Sequence, residues 1–114
     1  MKKVILFGGS FDPIHYGHLN MAQQALLQEG AFELWFVPNQ VSPFKESSST
    51  FEARVKMIEM MIRPYPKMKV CLVEENLPVP SYSINAVDVL KELYPDYAFQ
   101  WLIGDDHLQD LHQW

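Results

Sequence analysis

The chain has 114 residues, of which 48% are hydrophobic and 20% charged, and its formal net charge is −5 at pH 7. This length and composition predict one globular domain over residues 1–114, and the acidic balance argues against a surface that coats nucleic acid. No stretch approaches the ~20 apolar residues of a membrane span, and the apolar run at residues 4–7 is shorter than a secretory signal needs, so we expect a cytoplasmic protein. A single cysteine, Cys71, excludes a disulfide framework, and its apolar neighbours predict a buried strand residue.

Short apolar runs alternate with helical patterns along the chain. The runs predict four strands, at Val4–Phe7, Leu34–Val37, Met68–Val73 and Phe99–Ile103. Between them, apolar residues spaced three and four apart predict three helices. The first helix starts near Tyr16 and ends at Gly30. The second starts at a Ser49-x-x-Glu52 capping box and ends before Pro64. The third runs from near Ile84 to Pro95. Leu108 and Leu111 indicate the start of a fourth helix. The alternation predicts an α/β fold with a doubly wound parallel sheet.

The segment after the first predicted strand, GGSFDPIHYGH at residues 8–18, carries the strongest functional signal. Gly8 and Gly9 have no Cβ, so we expect unusual backbone angles there and a close approach to a ligand. The amide and hydroxyl of Ser10 can donate to phosphate oxygens. His15 and His18 are three residues apart, so both rings face the same point if a helix starts between them. A helix N-terminus at this position favours an anion, and the segment therefore predicts a nucleotide-phosphate site.

This pattern resembles the signature of the nucleotidyltransferases that transfer adenylyl or cytidylyl groups. With the segments at residues 38–39, 43–45, 80–84, 103–106 and 111–114, the chain is most similar to the bacterial nicotinate-mononucleotide adenylyltransferases. The resemblance implies a Rossmann-like sheet of the nucleotidylyltransferase type and the formation of deamido-NAD and pyrophosphate from ATP and nicotinate mononucleotide, with Mg²⁺ carried on ATP. Members of that family are longer and carry a C-terminal phosphate-binding segment, so we expect a C-terminally truncated fold with an uncovered sheet edge that favours homo-oligomers.

The same resemblance assigns roles to individual residues. It implies that His15 and His18 are catalytic and donate to the α-phosphate, with imidazolium character favoured by the phosphates. The substrate-binding residues that it implies are Gly8, Gly9, Ser10 and Phe11 in the glycine turn, Lys45 on a phosphate, Ser81, Tyr82 and Ser83 near the nicotinate carboxylate, Gly104 and Asp106 on adenosine, and Trp114 stacked on the pyridine ring. Arg54 is a weaker phosphate candidate that we expect at the surface.

Other interpretations of these residues stay open. Lys45 fits a solvated loop, Trp114 fits a packing residue, and Ser81, Ser83 or Asp106 fits a helix N-cap. A zinc site built from His15, His18, Asp106 and His107 is disfavoured, since there is no His-Glu-x-x-His helix and no cysteine pair. The rival functions are a pantetheine-phosphate adenylyltransferase, which usually has threonine where His15 stands, a cytidylyltransferase, and a nucleotide-binding module without turnover.

Overall fold

Three helices and four strands alternate along the chain. The computed structural model describes residues 1–9, 11, 13–38, 50–72 and 83–103. Its elements are β1 (Lys2–Gly9), α1 (Tyr16–Glu29), β2 (Glu33–Pro38), α2 (Phe51–Ile62), β3 (Met68–Val70), α3 (Ser83–Leu93) and β4 (Tyr97–Ile103). The predicted α/β fold is confirmed. The predicted fourth helix at Leu108 and Leu111 lies outside the described residues.

The four strands form one parallel sheet in the order β3-β2-β1-β4. The carboxyl end of β1 aligns with those of its two neighbours, since Gly9 pairs with Pro38 and Gly8 pairs with Ile103. Along the chain, β2 and β4 are added on opposite sides of β1. In such sheets ligands bind beyond the carboxyl ends of the strands, where the strand order reverses. The fold therefore points to the end of β1 as the binding edge.

Both faces of the sheet are covered, as in a doubly wound fold. On one face, Ile5 and Phe7 of β1 belong to a buried cluster with residues of α1 and α2. On the other face, Val4 and Leu6 pack in a second buried cluster with residues of α3. Burial on both sides explains why β1 is a continuous apolar run rather than an alternating one. The predicted doubly wound sheet is confirmed.

The helix ends follow from local chemistry. Gly30 terminates α1 in the left-handed conformation, with φ 58° and ψ 39°, and its amide donates to the carbonyl of Leu26. The helix α2 begins after Thr50, whose Oγ1 accepts a hydrogen bond from the Ala53 amide at 3.1 Å. The cap predicted at Ser49 is therefore wrong by one residue, because Thr50 fills that role. No helix in the described ranges is long and apolar enough to cross a membrane.

Two predictions about side chains are corrected. Arg54 is buried, with 2% of its surface exposed, rather than a surface residue. It lies on the same stripe of α2 as the buried Ile58 and Ile62, at intervals of four residues, and so faces the core. Cys71 is half-buried and follows β3 rather than lying within it. Its amide still donates to the carbonyl of Phe36 at 2.8 Å, which extends the pairing past the end of the strand.

Candidate active site

The two glycines at the end of β1 lie beside buried aromatic rings. Both are strand residues, and Gly30 is the one described glycine with a positive φ, so the unusual backbone angles predicted for Gly8 and Gly9 are wrong. A Cβ on Gly8 would lie 3.4 Å from the ring of Trp101, and a Cβ on Gly9 would lie 3.4 Å from Cζ of Phe11. Each glycine thus lies beside one aromatic ring, on opposite faces of the sheet, at a distance that would be an ordinary van der Waals contact for a Cβ.

Phe11 turns the chain away from β1. Its φ of 49° is the one positive value among the described residues other than glycine, and this conformation costs about 1–3 kcal/mol. Its ring is 2% exposed and meets the rings of Phe7 and Phe36 edge to face, at centroid distances of 5.3 and 5.4 Å. Burial of this ring offsets the backbone strain. Because the side chain of Phe11 is buried in the core, the backbone of Phe11 is the part that could contact substrate.

His15 and His18 form a reciprocal cap at the start of α1. His15 is the N-cap residue, and its Nδ1 accepts a hydrogen bond from the Gly17 amide at 3.0 Å. Nδ1 of His18 accepts from the amide of His15 at 3.1 Å. The two rings stack with centroids 3.8 Å apart and planes inclined by 27°. The prediction that both rings share one location is confirmed.

The cap fixes where each ring carries its proton. A neutral imidazole has one N–H, and the other nitrogen is an acceptor. Because Nδ1 accepts a backbone hydrogen bond in both His15 and His18, the proton of each neutral ring is on Nε2. The site therefore offers two Nε2–H donors from stacked rings at a helix N-terminus. This arrangement suits an anion without any charge on the imidazoles.

The surroundings of His18 oppose its protonation. Burial, and secondly the charge of a protonated His15, lower its pKa from 6.5 to about 4. The rings of Phe11 and Phe7 meet that of His18 edge to face, at centroid distances of 5.0 and 6.0 Å. Without substrate, desolvation thus favours the neutral ring of His18, and the imidazolium character expected in the presence of phosphates stays a prediction.

Gly17 is a site residue that the sequence analysis left out. A Cβ at this position would lie 2.8 Å from Cε1 and 2.9 Å from Nδ1 of His15, which is closer than such atoms approach. Only glycine lets the His15 ring fold back over the helix start and accept from the Gly17 amide. The signal was present in the sequence, as a glycine placed between two histidines in the first turn of a helix.

The electrostatics of this helix start also suit an anion. The first turn of α1 carries no acidic side chain, so its backbone N–H groups face no competing carboxylate on their own helix. In the part of the chain that the structure describes, no three histidine, cysteine, aspartate or glutamate side chains come together as metal ligands. The prediction that the protein itself ligates no metal stays a prediction.

Many of the predicted site residues lie outside the described residues. They are Ser10, Lys45, Ser81, Tyr82, Gly104, Asp106 and Trp114. Ser83 is the first residue of α3, the helix that follows β3 along the chain. Within the described ranges, the structure brings together Gly8, Gly9, Phe11, His15 and His18 at the end of β1. Their contacts with substrate stay predictions.

Comparison with known proteins places this chain in a family. The cytidylyltransferase-like family model matches residues 6–114. The chain belongs to this family. Its residues align along their whole length with the nicotinate-nucleotide adenylyltransferase of Bacillus subtilis (strain 168), at 41% identity over 116 aligned positions. The chain spans 61% of the length of that relative.

A second related sequence and a solved structure agree with this placement. A protein of Methylacidiphilum infernorum named "Probable nicotinate-nucleotide adenylyltransferase" is 40% identical over 114 residues, which are 98% of this chain and 56% of that protein. The solved Plasmodium falciparum nicotinic acid mononucleotide adenylyltransferase complexed with NaAD superposes with a TM-score of 0.77 at 24% identity. That match covers 89% of this chain and 51% of the other, and it supports the nucleotidyltransferase fold of this cytidylyltransferase-like chain.

Proposed function

We propose that this chain is part of a nicotinate-nucleotide adenylyltransferase, which joins ATP and nicotinate mononucleotide to give deamido-NAD and pyrophosphate in NAD biosynthesis. The observation that carries the proposal is the stacked pair of His15 and His18, which caps α1 at the carboxyl edge of the sheet and offers two Nε2–H donors. The printed names of the relatives from Bacillus subtilis and Methylacidiphilum infernorum support this choice of substrates.

The reaction is an in-line displacement at the α-phosphorus of ATP. A phosphate oxygen of nicotinate mononucleotide forms the new P–O bond, and the bond to the leaving pyrophosphate breaks. The nucleophile is already ionised at neutral pH, so no general base is needed, and catalysis consists of positioning and charge stabilisation. The Nε2–H groups of His15 and His18 donate to the oxygens of the α-phosphate, where negative charge builds up. A neutral His18 performs this role, since its proton is already on Nε2.

The remaining substrate contacts are proposed from the family resemblance. Gly8, Gly9, Ser10 and the backbone of Phe11 cradle phosphate, and Lys45 neutralises part of its charge. The other proposed contacts are Ser81, Tyr82 and Ser83 with the nicotinate carboxylate, Gly104 and Asp106 with adenosine, and Trp114 with the pyridine ring. Mg²⁺ arrives on ATP as part of the substrate and offsets the charge of its phosphates. A cytoplasmic location fits a reaction that uses ATP.

Pantetheine-phosphate adenylyltransfer is the alternative within enzymes. Those enzymes usually carry threonine where His15 stands. A threonine has no ring to stack on His18, whereas here the two ring centroids are 3.8 Å apart. This contact favours the nicotinate substrate over phosphopantetheine. A nucleotide-binding module without turnover is the alternative outside enzymes, and an assay of turnover separates it from the proposal.

The test uses ATP that is radiolabelled at the α-phosphorus. The chain is incubated with this ATP, Mg²⁺ and, in separate reactions, nicotinate mononucleotide, nicotinamide mononucleotide or phosphopantetheine. We expect the label to enter deamido-NAD in the first reaction faster than it enters the adenylylated product of either other acceptor, with an equal amount of unlabelled pyrophosphate released. Label transferred to phosphopantetheine alone would favour the alternative. Saturable binding of ATP with no label transferred to any acceptor would favour the binding module.

A further inference from the structure

Phe11 combines a strained backbone, a buried ring and a contact with a candidate catalytic histidine. It adopts a positive φ of 49°, although a bulky side chain disfavours this region. Its ring is almost completely buried between those of Phe7 and Phe36. The same ring meets the imidazole of His18 edge to face at a centroid distance of 5.0 Å, the shortest of the phenylalanine contacts to that ring. A strained residue in contact with a functional side chain is a candidate for a role in positioning it.

We propose that Phe11 is a positioning residue whose ring fixes and desolvates the His18 imidazole, so that the imidazole stays neutral and keeps its proton on Nε2. The inference rests on the proposed function for its catalytic meaning, since the Nε2–H group is the donor to the α-phosphate. The geometry itself does not depend on that function. Phe11 has a left-handed backbone, and its ring lies beside Gly9 at the end of β1, 3.4 Å from where a Cβ of Gly9 would be.

The groups around His18 explain why Phe11 is the decisive neighbour. Among the described residues, the titratable group that acts on His18 is His15, which stacks on it from the N-cap position. The rings that meet it from β1 and from the turn, Phe7 and Phe11, carry no charge. Phe36 of β2 contacts Phe7 and Phe11. Burial is the larger cause of the lowered pKa of His18, and of the two described phenylalanine rings in contact with His18, that of Phe11 is the nearer.

The experiment is an NMR titration of the ¹⁵N-labelled histidine rings without substrate, in the wild-type chain, Phe11→Leu and Phe36→Leu. Phe36→Leu is the matched control, because it makes the same change in the same buried cluster. In the wild type we expect an unprotonated Nδ1 on His18 at pH 7. We expect Phe11→Leu to raise the pKa of His18 from about 4 to about 5 or higher. Phe36→Leu lowers the melting temperature and leaves the pKa of His18 near its wild-type value.

Two results would overturn the proposal. One is a titration of His18 that Phe11→Leu leaves unchanged, or that Phe36→Leu moves equally. The other is a proton on Nδ1 of His18 in the wild type at pH 7, which decides the matter even if the variants do not fold. Phe11→Met, whose flexible side chain adapts to the cavity but has no aromatic edge, replaces Phe11→Leu if the latter is unfolded. Because the titration uses no substrate, its failure is distinct from a failure of adenylyl transfer.

Kinetics give a second readout that a purely structural role would not move. If Phe11 keeps His18 neutral, the acid limb of the kcat/KM profile for ATP, which reports the free enzyme, shifts to higher pH in Phe11→Leu by the same amount as the pKa of His18. KM for nicotinate mononucleotide stays close to wild type, since the Nε2–H group acts on the α-phosphate of ATP. An acid limb that stays in place while the pKa moves would show that His18 protonation does not control the rate.

Discussion

The backbone amide of His15 donates to Nδ1 of His18, while the two rings stack with their centroids 3.8 Å apart. One local motif therefore caps a helix and sets the tautomer of its own functional groups. Because the backbone holds Nδ1 as an acceptor, the donor is Nε2–H over the whole pH range in which the ring is neutral. Disturbing the cap and disturbing the chemistry should be inseparable at this site.

Substituting alanine for Gly17 should disturb both the His15 cap and the activity, with the larger effect on activity. The added Cβ would lie 2.8 Å from Cε1 of His15, so the ring must move out of its position. A displacement of about 1 Å in such a site can cost about 100-fold in rate, whereas alanine is favoured over glycine within a helix by about 0.5–1 kcal/mol. We expect kcat to fall by about 10- to 100-fold, and the free energy of unfolding to change by no more than about 1 kcal/mol, because the helix propensity of alanine offsets much of the lost His15 cap.

Gly30→Ala is the matched control for this prediction. Gly30 has a φ of 58°, and a Cβ added there would meet no atom of the described residues within 4 Å, so the substitution adds backbone strain and no clash. We expect a loss of about 1 kcal/mol in the free energy of unfolding with kcat unchanged. A Gly17→Ala variant that is as active as wild type would show that the ring position of His15 does not matter for turnover.

The pH dependence of stability should carry a contribution from His18. Its pKa is about 4 in the folded chain and 6.5 in the reference state, so between these values the unfolded chain binds a proton that the folded chain does not. The free energy of unfolding therefore has its full His18 contribution above about pH 6.5, and loses it progressively as the pH falls toward 4. Denaturant titrations across this range should show a steeper loss for the wild type than for His18→Gln. Parallel curves for the two proteins would contradict the lowered pKa.

Thr50, rather than Ser49, should be the residue that caps α2. Thr50→Ala removes the Oγ1 acceptor of the Ala53 amide and should cost about 1 kcal/mol of stability, within the 0.5–2 kcal/mol typical of N-cap losses. Thr50→Ser keeps the acceptor and should stay near wild type. Ser49→Ala is the control, and urea denaturation of the three variants is the measurement. A larger loss in Ser49→Ala than in Thr50→Ala would restore the cap to Ser49.

Arg54 should contribute to stability through its buried position. It is 2% exposed, and its guanidinium carbon lies 5.5 Å from the centroid of the Phe51 ring. Arg54→Ala removes a long side chain from a packed position and should cost about 2–5 kcal/mol. Arg63, the exposed C-cap residue of the same helix, is the matched control, and its alanine variant should stay within about 0.5 kcal/mol of wild type. Equal losses in the two variants would argue against a core role for Arg54.

Much of the fold could be predicted from the sequence because its signals are local. The apolar run at Val4–Phe7 reflects burial of the strand on both faces of the sheet. The end of α1 at Gly30 reflects the preference for glycine in a left-handed helix cap. β1 extends past the run to Gly9, because Gly8 and Gly9 continue the pairing with β2. Arg54 was misjudged because arginine is usually exposed, although its spacing from Ile58 already indicated the buried face of α2.

The candidate site was predictable in part. The spacing of His15 and His18 was enough to bring the two rings together, since three residues make nearly one helical turn. Their hydrogen bonds were not predictable, because the reciprocal cap depends on how the chain enters α1 after the positive φ at Phe11. The neutral state of His18 depends on rings from β1 and from the turn, which only the folded chain brings together.

Pyrophosphate release tests the role of the histidine pair most directly. The chain is supplied with ATP, Mg²⁺ and nicotinate mononucleotide, and the rate is compared between wild type and His18→Ala. We expect release by the wild type and a fall of about 100- to 1,000-fold in the variant, the cost of losing one donor to the transition-state charge. Equal rates in the two proteins would contradict the role of the histidine pair. A wild type that neither releases pyrophosphate nor binds nicotinate mononucleotide would contradict the proposed function.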